Sequence, residues 1–251
     1  MIKMSDLENL EKLFFELASE NRLTILGMLR DDSLKMQEIA KLLDVTATEV
    51  FRQLQRLTDV SLVQRLPDGA FTITEYGRLV LHLSAGYSFL SKHREYFLDH
   101  NIWAIPQQFI NRLGELSEAK LIMDTIKTVN MGVQIFLEAE EYAWGLSERG
   151  ASPDYLDPLM DKRIEEGLAF KLMVPMSILP EALSQTHSTN IEVRGSQECP
   201  AVIVVSEKAA MIAFPFTGGR LDYAGFYGDD PVFLNWVREL FLYYWERGAR
   251  A

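Results

Sequence analysis

Thr48, Arg52 and Gln55 follow one another at intervals of four and three residues, with Phe51 at the edge of the same stripe and Ala47 just before it. On a helix this spacing gathers them on one face. Such a face offers donors that can meet base edges in the major groove of duplex DNA. Arg52 stands at its centre, where a guanidinium can grip a guanine through two donors or clamp a phosphate; the residue type fits both. Arg56 and Arg65 flank the face and are expected to meet phosphate. Asp68 and Gly69, in the turn Pro67-Asp68-Gly69, are expected at the tip of a hairpin that reaches the backbone or the minor groove.

A reading face needs elements to hold it. Val50, Leu54 and Leu57 fall on the opposite side of the same helix and form an apolar back. Thr46-Ala47-Thr48-Glu49 has the pattern of a capping box, with a threonine at the cap and a glutamate three residues on. That starts the helix directly after the turn Asp44-Val45 and runs it to about Thr58. Upstream, Leu10, Leu13, Phe14 and Leu17, then Ile25, Leu26 and Leu29, recur at helical spacing. Asn21 is placed to cap the second of these helices or to kink the pair. Ser33 is expected to open a short helix through Ile39, Ala40, Leu42 and Leu43. Downstream, Leu62–Leu66 and Phe71–Thr74 predict a β-hairpin, and Thr74 caps a long helix over 75–99. On that helix Tyr76, Val80, Leu83, Tyr87, Leu90 and Phe97 follow 4-3-4-3 spacing, interrupted by Arg94, which is the seam of a helix paired with its own copy.

Asn101–Pro106 reads as a joint, and helical pattern resumes to about Asn130. Beyond it come short β-rich runs at 133–137, 169–174, 191–193, 201–205 and 211–214. Helices are expected between some of them, at 139–149, 153–166 and 177–185. Asp229 or Asp230, then Pro231, opens a closing aromatic helix. The expected fold class is an α+β N-terminal winged helix-turn-helix over 1–74, a helical linker and dimerisation region over 75–130, and an α/β effector domain over 131–251.

The 251 residues are 48% apolar with a net charge of −11. Residues 1–100 hold 12 Lys and Arg against 15 Asp and Glu, and residues 101–251 hold 13 against 21. Within 45–66 the balance reverses, with Arg52, Arg56 and Arg65 against Glu49 and Asp59, so non-specific attraction to DNA should be weak and salt-dependent. One cysteine, Cys199, allows neither an internal disulfide nor a thiolate metal site. With no apolar run long enough for a bilayer and an acidic, amphipathic start, no membrane association is expected, and the cytoplasm is the expected location. His82, His93 and His100 share a helical stripe but lie too far apart to hold one ion within a chain; an intersubunit site is the alternative to solvated or interface histidines, and neither metal nor cofactor is expected. No nucleophile–base pair or complete phosphate loop is present, and the protein is expected not to be an enzyme. Thr217-Gly218-Gly219-Arg220 lacks a phosphate-loop lysine. Contacts to a small-molecule effector are sought in Glu138, Trp144, Arg194, Tyr223 and Phe226, with Glu138 at the C-terminal end of a strand and Arg194 as anchor for an anion.

Leu17–Leu26 resembles the opening helix of ArsR-type winged-helix regulators, and Met36–Leu57 with Leu62-Val63 resembles their helix-turn-helix. Phe71–Arg78 is similar to the wing strand and helix start of archaeal members. Phe226–Pro231 and the closing helix resemble the C-terminal domain of archaeal regulators of the Fil methanogenesis-regulator type. The alternation of strands and helices is similar to phospholipase-D-like sensor domains, without their His-Lys-Asp motif. The resemblance implies a dimeric cytoplasmic transcription regulator that binds double-stranded DNA and names no ligand. A winged helix that binds another protein instead of DNA is the alternative.

Overall fold

The computed structural model describes residues 4–148, 162–184 and 190–250. The chain forms two compact units, 1–84 and 85–251. In the first unit, α1 (Met4–Leu17), α2 (Glu20–Asp31), α3 (Met36–Leu43) and α4 (Ala47–Asp59) precede a hairpin of β1 (Val63–Arg65) and β2 (Phe71–Ile73). Ile25, Leu26, Leu29, Ile39, Val50, Leu54, Leu57, Leu62 and Ile73 close one core. Buried aliphatic side chains of this size stabilise by roughly 1.5–3 kcal/mol each, which is what fixes α4 by its back.

Two local expectations shift. The helix expected to open at Ser33 begins at Met36, because Leu34 exchanges both backbone hydrogen bonds with Phe71 (3.0 and 2.8 Å) and forms a third rung beside the hairpin. The helix expected over 75–99 is α5 (Glu75–Lys92) and then α6 (Arg94–Asp99), broken at His93, whose φ and ψ are −113° and 27°. Thr74 does start α5, its Oγ1 accepting from the Gly77 amide at 2.9 Å. A Cβ on Gly77 would stand 2.2 Å from the Leu62 carbonyl, so glycine is required where α5 leaves the hairpin.

The second unit is built on a seven-stranded sheet in the order β3-β9-β8-β7-β4-β5-β6. The strands are β3 (Lys120–Ile122), β4 (Tyr142–Leu146), β5 (Ala169–Pro175), β6 (Ile191–Ser196), β7 (Val202–Ser206), β8 (Ala210–Ala213) and β9 (Gly225–Gly228). Pairings β4–β5 and β5–β6 are parallel and the rest antiparallel. Alternation along each strand feeds two cores. Ile203, Val205, Ala210, Ile212 and Phe226 pack with Trp236, Leu240 and Phe241 of the closing helix Pro231–Arg247. Val202, Met211 and Ala213 pack on the other face with Ile135 of α8 (Thr125–Glu138), which comes after the short helix α7 (Gln107–Ile110). Both faces are covered, so the strands read as continuous apolar runs.

The run Val133–Leu137, expected to be a strand, is the C-terminal half of α8. Asp124 caps that helix by accepting from the Lys127 amide at 3.0 Å, and Thr128, Gly132, Ile135 and Phe136 give it a helical buried stripe. Conversely, the helix expected at 139–149 is the central strand β4; parallel pairing with β5 and antiparallel pairing with β7 outweigh local propensity. The expected helix at 177–185 forms over Leu179–Ser184. Of the one expected at 153–166, a turn of helix is present at 162–165 and residues 153–161 lie outside the described residues. Asp230 opens the closing helix with Pro231 at its first position, its Oδ1 accepting from the Val232 and Phe233 amides.

Candidate nucleic-acid interface

α4 begins at a threonine cap: Thr46 Oγ1 accepts from the Glu49 amide at 3.2 Å. The reciprocal half of the expected capping box is replaced, because the Glu49 carboxylate accepts from Asn21 Nδ2 at 3.3 Å instead. Asn21 therefore ties α2 to α4 and caps nothing. Val50, Leu54 and Leu57 are fully buried, and Ala47, Thr48, Phe51, Arg52 and Gln55 are exposed on the opposite face, as their spacing predicts. Phe51 is 53% exposed, a large apolar surface at the rim of this face. Arg52 makes no hydrogen bond or ion pair with any described residue. Gln55 donates from Nε2 to Asp59 Oδ1 at 2.8 Å, which orients its amide along the helix.

Arg56 has another engagement. Its Nε and one terminal nitrogen donate to the two carboxylate oxygens of Glu16 at 2.9 Å each, and its guanidinium lies 5.0 Å from the centroid of the Phe15 ring. It was expected at phosphate; two of its donor positions are instead spent fastening α4 to α1. The Glu16 hydrogen bond holds the Arg56 guanidinium above its ordinary pKa. Arg22 supports the same joint from within. It donates to the carbonyls of Glu16 and Phe15 (2.6 and 2.9 Å) and to Gln53 Oε1 at 2.9 Å. Sequence reading missed this network. Its one signal is the charge of Arg22 between two apolar helical runs, where a cation survives burial only when its donors are satisfied.

The hairpin turns tightly at its tip. The Gly69 amide donates to the Leu66 carbonyl, Asp68 Oδ1 accepts from the Ala70 amide, and Gly69 sits at φ +86°, a conformation glycine adopts without strain. Arg65 is exposed on β1, with one terminal nitrogen 3.6 Å from where a Gly69 Cβ would stand. Arg65, Asp68 and Gly69 thus lie together at the wing tip, and Arg52 stands out from α4.

The five expected ligand contacts do not converge. Trp144, Arg194 and Phe226 lie on the closing-helix face of the sheet. Phe226 is fully buried in the core; Trp144 stacks on Phe241 with centroids 5.4 Å apart. Arg194 donates to the Trp245 carbonyl at 2.7 Å and packs over the Trp245 ring at 4.4 Å, so it caps the closing helix. Glu138 and Tyr223 lie on the α8 side. Tyr223 packs with Leu221 and Met211. Glu138 is at the end of a helix, not of a strand, and lines a cavity of about 250 Å³ with Met131, Gln134, Ile135, Ser206, Lys208, Ala209 and Tyr227. Tyr227 enters this cavity because it follows Phe226 on β9 and so faces the opposite way.

The three histidines also separate. His82 is exposed and His93 is buried with Nε2 unpartnered among the described residues. His100 holds the Tyr96 carbonyl through Nδ1 at 2.7 Å and Asp222 through Nε2 at 3.0 Å. Among the described residues no three His, Cys, Asp or Glu side chains converge as metal ligands, and no helix is long and apolar enough to cross a membrane.

Residues 10–88 match the family model of the HVO_A0261 N-terminal domain. No curated protein matches the chain. Among solved structures, the archaeal chromatin protein TrmBL2 is similar over 92% of this chain and 92% of its own, at 13% identity and a TM-score of 0.45. HlyU from Vibrio cholerae is 23% identical over 38% of this chain and 98% of its own, with a TM-score of 0.30. The homodimeric winged helix-turn-helix DNA-binding domain of Mb0332 from Mycobacterium bovis is 23% identical over 37% of this chain and 92% of its own, with a TM-score of 0.31.

Proposed function

We propose that the protein is a sequence-specific transcriptional regulator that binds duplex DNA as a homodimer through α4 and the hairpin. The observation that carries this reading is the division of α4. Its back is locked into the core by three fully buried residues, while Thr48, Phe51, Arg52 and Gln55 stand exposed on a helix braced at both Glu49 and Arg56. A rigid helix with an uncommitted Arg52 and an outward-facing Gln55 amide is what major-groove readout requires. Arg65 at the wing adds a cation for the backbone.

A dimer matches the two-fold symmetry of paired half-sites. The face that pairs is the first part of α5, where Tyr76, Leu79, Leu83 and Tyr87 are exposed. Leu90 and Phe97, expected in the same seam, pack instead against the core of the second unit, which shortens the pairing face. The second unit we read as a sensor without catalytic activity, of the Fil regulator type, whose ligand biases the spacing of the two reading heads by binding one arrangement better than the other.

The test is a DNA-selection experiment on the full chain followed by anisotropy titration of the enriched duplex. Saturable, salt-dependent binding that prefers the enriched sequence over a shuffled one is expected. Absence of any salt-dependent binding would instead favour the protein-docking use of a winged helix.

A further inference from the structure

The cavity beside α8 is the feature of the second unit for which packing alone gives no account. Its wall is apolar at Met131, Ile135 and Ala209, and three polar side chains open onto it: Gln134, Glu138 and Tyr227. None of the three makes a side-chain hydrogen bond with a described residue. Ser206 is already engaged, accepting from the amides of Lys208 and Ala209. Lys208, the one cation at the rim, is paired with Glu140. The free groups are therefore an anion, a phenol and an amide.

The field at this place is negative for a second reason. Glu138 is the last residue of α8, and no basic residue occupies the last turn. A carboxylate at the C-terminal pole of a helix adds to the partial negative charge of the free carbonyls and is disfavoured there. Burial first, and then the charges of Asp229 and Glu138, push the Tyr227 phenol above its ordinary pKa. An ammonium group would relieve both terms, with the Tyr227 ring and the Met131 thioether supplying a polarisable wall for its carbon chain. A metal ion is not favoured, since among the described residues Glu138 is the only carboxylate in the lining and no thiol or imidazole joins it. The volume of about 250 Å³ suits a molecule of a few carbon atoms.

We propose that this cavity is the sensor's ligand site and that it takes a small aliphatic amine, held by Glu138, Tyr227 and Gln134. The proposal rests on the sensor reading of the second unit and names its ligand class. It places the site on the α8 face, away from Arg194.

The experiment uses the full chain with ¹³C-methyl methionine, following the Met131 methyl signal as 1,4-diaminobutane, n-butylamine or sodium butyrate is added at constant ionic strength. Both amines should give saturable shifts and butyrate none. Glu138→Gln, at an exposed position where folding is not at stake, should weaken amine binding roughly tenfold or more, the weight of a charge-assisted hydrogen bond. Tyr227→Leu should weaken it too, and Arg194→Ala should leave it unchanged. No saturable amine shift, an equal response to butyrate, or unaltered binding by Glu138→Gln would overturn the site. DNA affinity is measured on the same samples. DNA binding that persists without amine binding removes the ligand site and leaves the regulator; amine binding that leaves DNA affinity unchanged removes the sensor role and leaves the site.

Discussion

Arg56 on α4 grips Glu16 on α1 with two hydrogen bonds of 2.9 Å, one to each carboxylate oxygen. Glu16 is only 12% exposed and also faces Arg22 at 3.2 Å, so one carboxylate serves two guanidinium groups. The first helix is thereby part of what holds α4 in place.

Glu16→Gln should destabilise the first unit by about 2–4 kcal/mol, because it leaves Arg22 buried without its counter-charge. Arg56→Gln should cost less, since the Arg56 side chain is 41% exposed and solvent screens its charge. Urea unfolding of the two variants measures this; equal losses would mean that Glu16 acts through Arg56 alone.

Arg52→Ala should leave the unfolding midpoint unchanged, as Arg52 has no partner among the described residues, and should weaken binding of the selected duplex by about 1–3 kcal/mol if it holds a base. Arg65→Ala should weaken all duplexes alike and reduce the slope of log affinity against log salt by about one phosphate contact. Anisotropy titrations on matched and shuffled duplexes over a salt series separate the two behaviours.

Leu83 and Tyr87 are 69% and 65% exposed on α5. If the proposed dimer pairs through α5, Leu83→Glu should leave only monomers without loss of fold, read by sedimentation velocity and circular dichroism together. Leu90→Glu is expected to destabilise the second unit, because Leu90 is partly buried against its core. A Leu83→Glu protein that remains dimeric would move the interface elsewhere.

His93 is buried against the rings of Phe89 and Phe226, at 4.9 and 5.1 Å, where α5 breaks. Burial, reinforced by the charge of Lys92, holds its pKa below the ordinary value of about 6.5. The folded state therefore binds this proton less readily than the unfolded chain. Its stability is full above the unfolded pKa and falls as pH drops below it, levelling off below the folded pKa. His93→Phe should remove this decline. Unfolding midpoints at pH 7.5 and pH 5.5 test it, before carboxylates such as Glu207 and Glu239, held below their ordinary values, begin to titrate. A variant with the same acid loss as the parent would place the loss on another group.

The first unit was legible in the chain because its signals are local. Thr46, Val50, Leu54 and Leu57 define the start and the buried side of α4 within a dozen residues, and Pro67-Asp68-Gly69 defines the wing tip, since caps, turns and helical periodicity act over neighbouring positions. The same locality placed Asp230 and Pro231 at the head of the closing helix. Pairings between distant segments were not legible. The carboxylate of Glu16 chooses Arg56 forty residues away, Leu34 joins Phe71 as a third rung, and α5 ends at Lys92 rather than running to Asp99. In the second unit Val133–Leu137 has strand composition and folds as helix, because an Asp124 cap and a sheet face waiting for Ile135 and Phe136 reward the helical period. The ligand contacts divided for the same reason: which face of a buried sheet a side chain takes depends on register, and a shift of one residue sends Phe226 into the core and Tyr227 into the cavity. Local chemistry set the helices and hairpin of the first unit, and only the tertiary pairing of strands decided what lies on either side of the sheet.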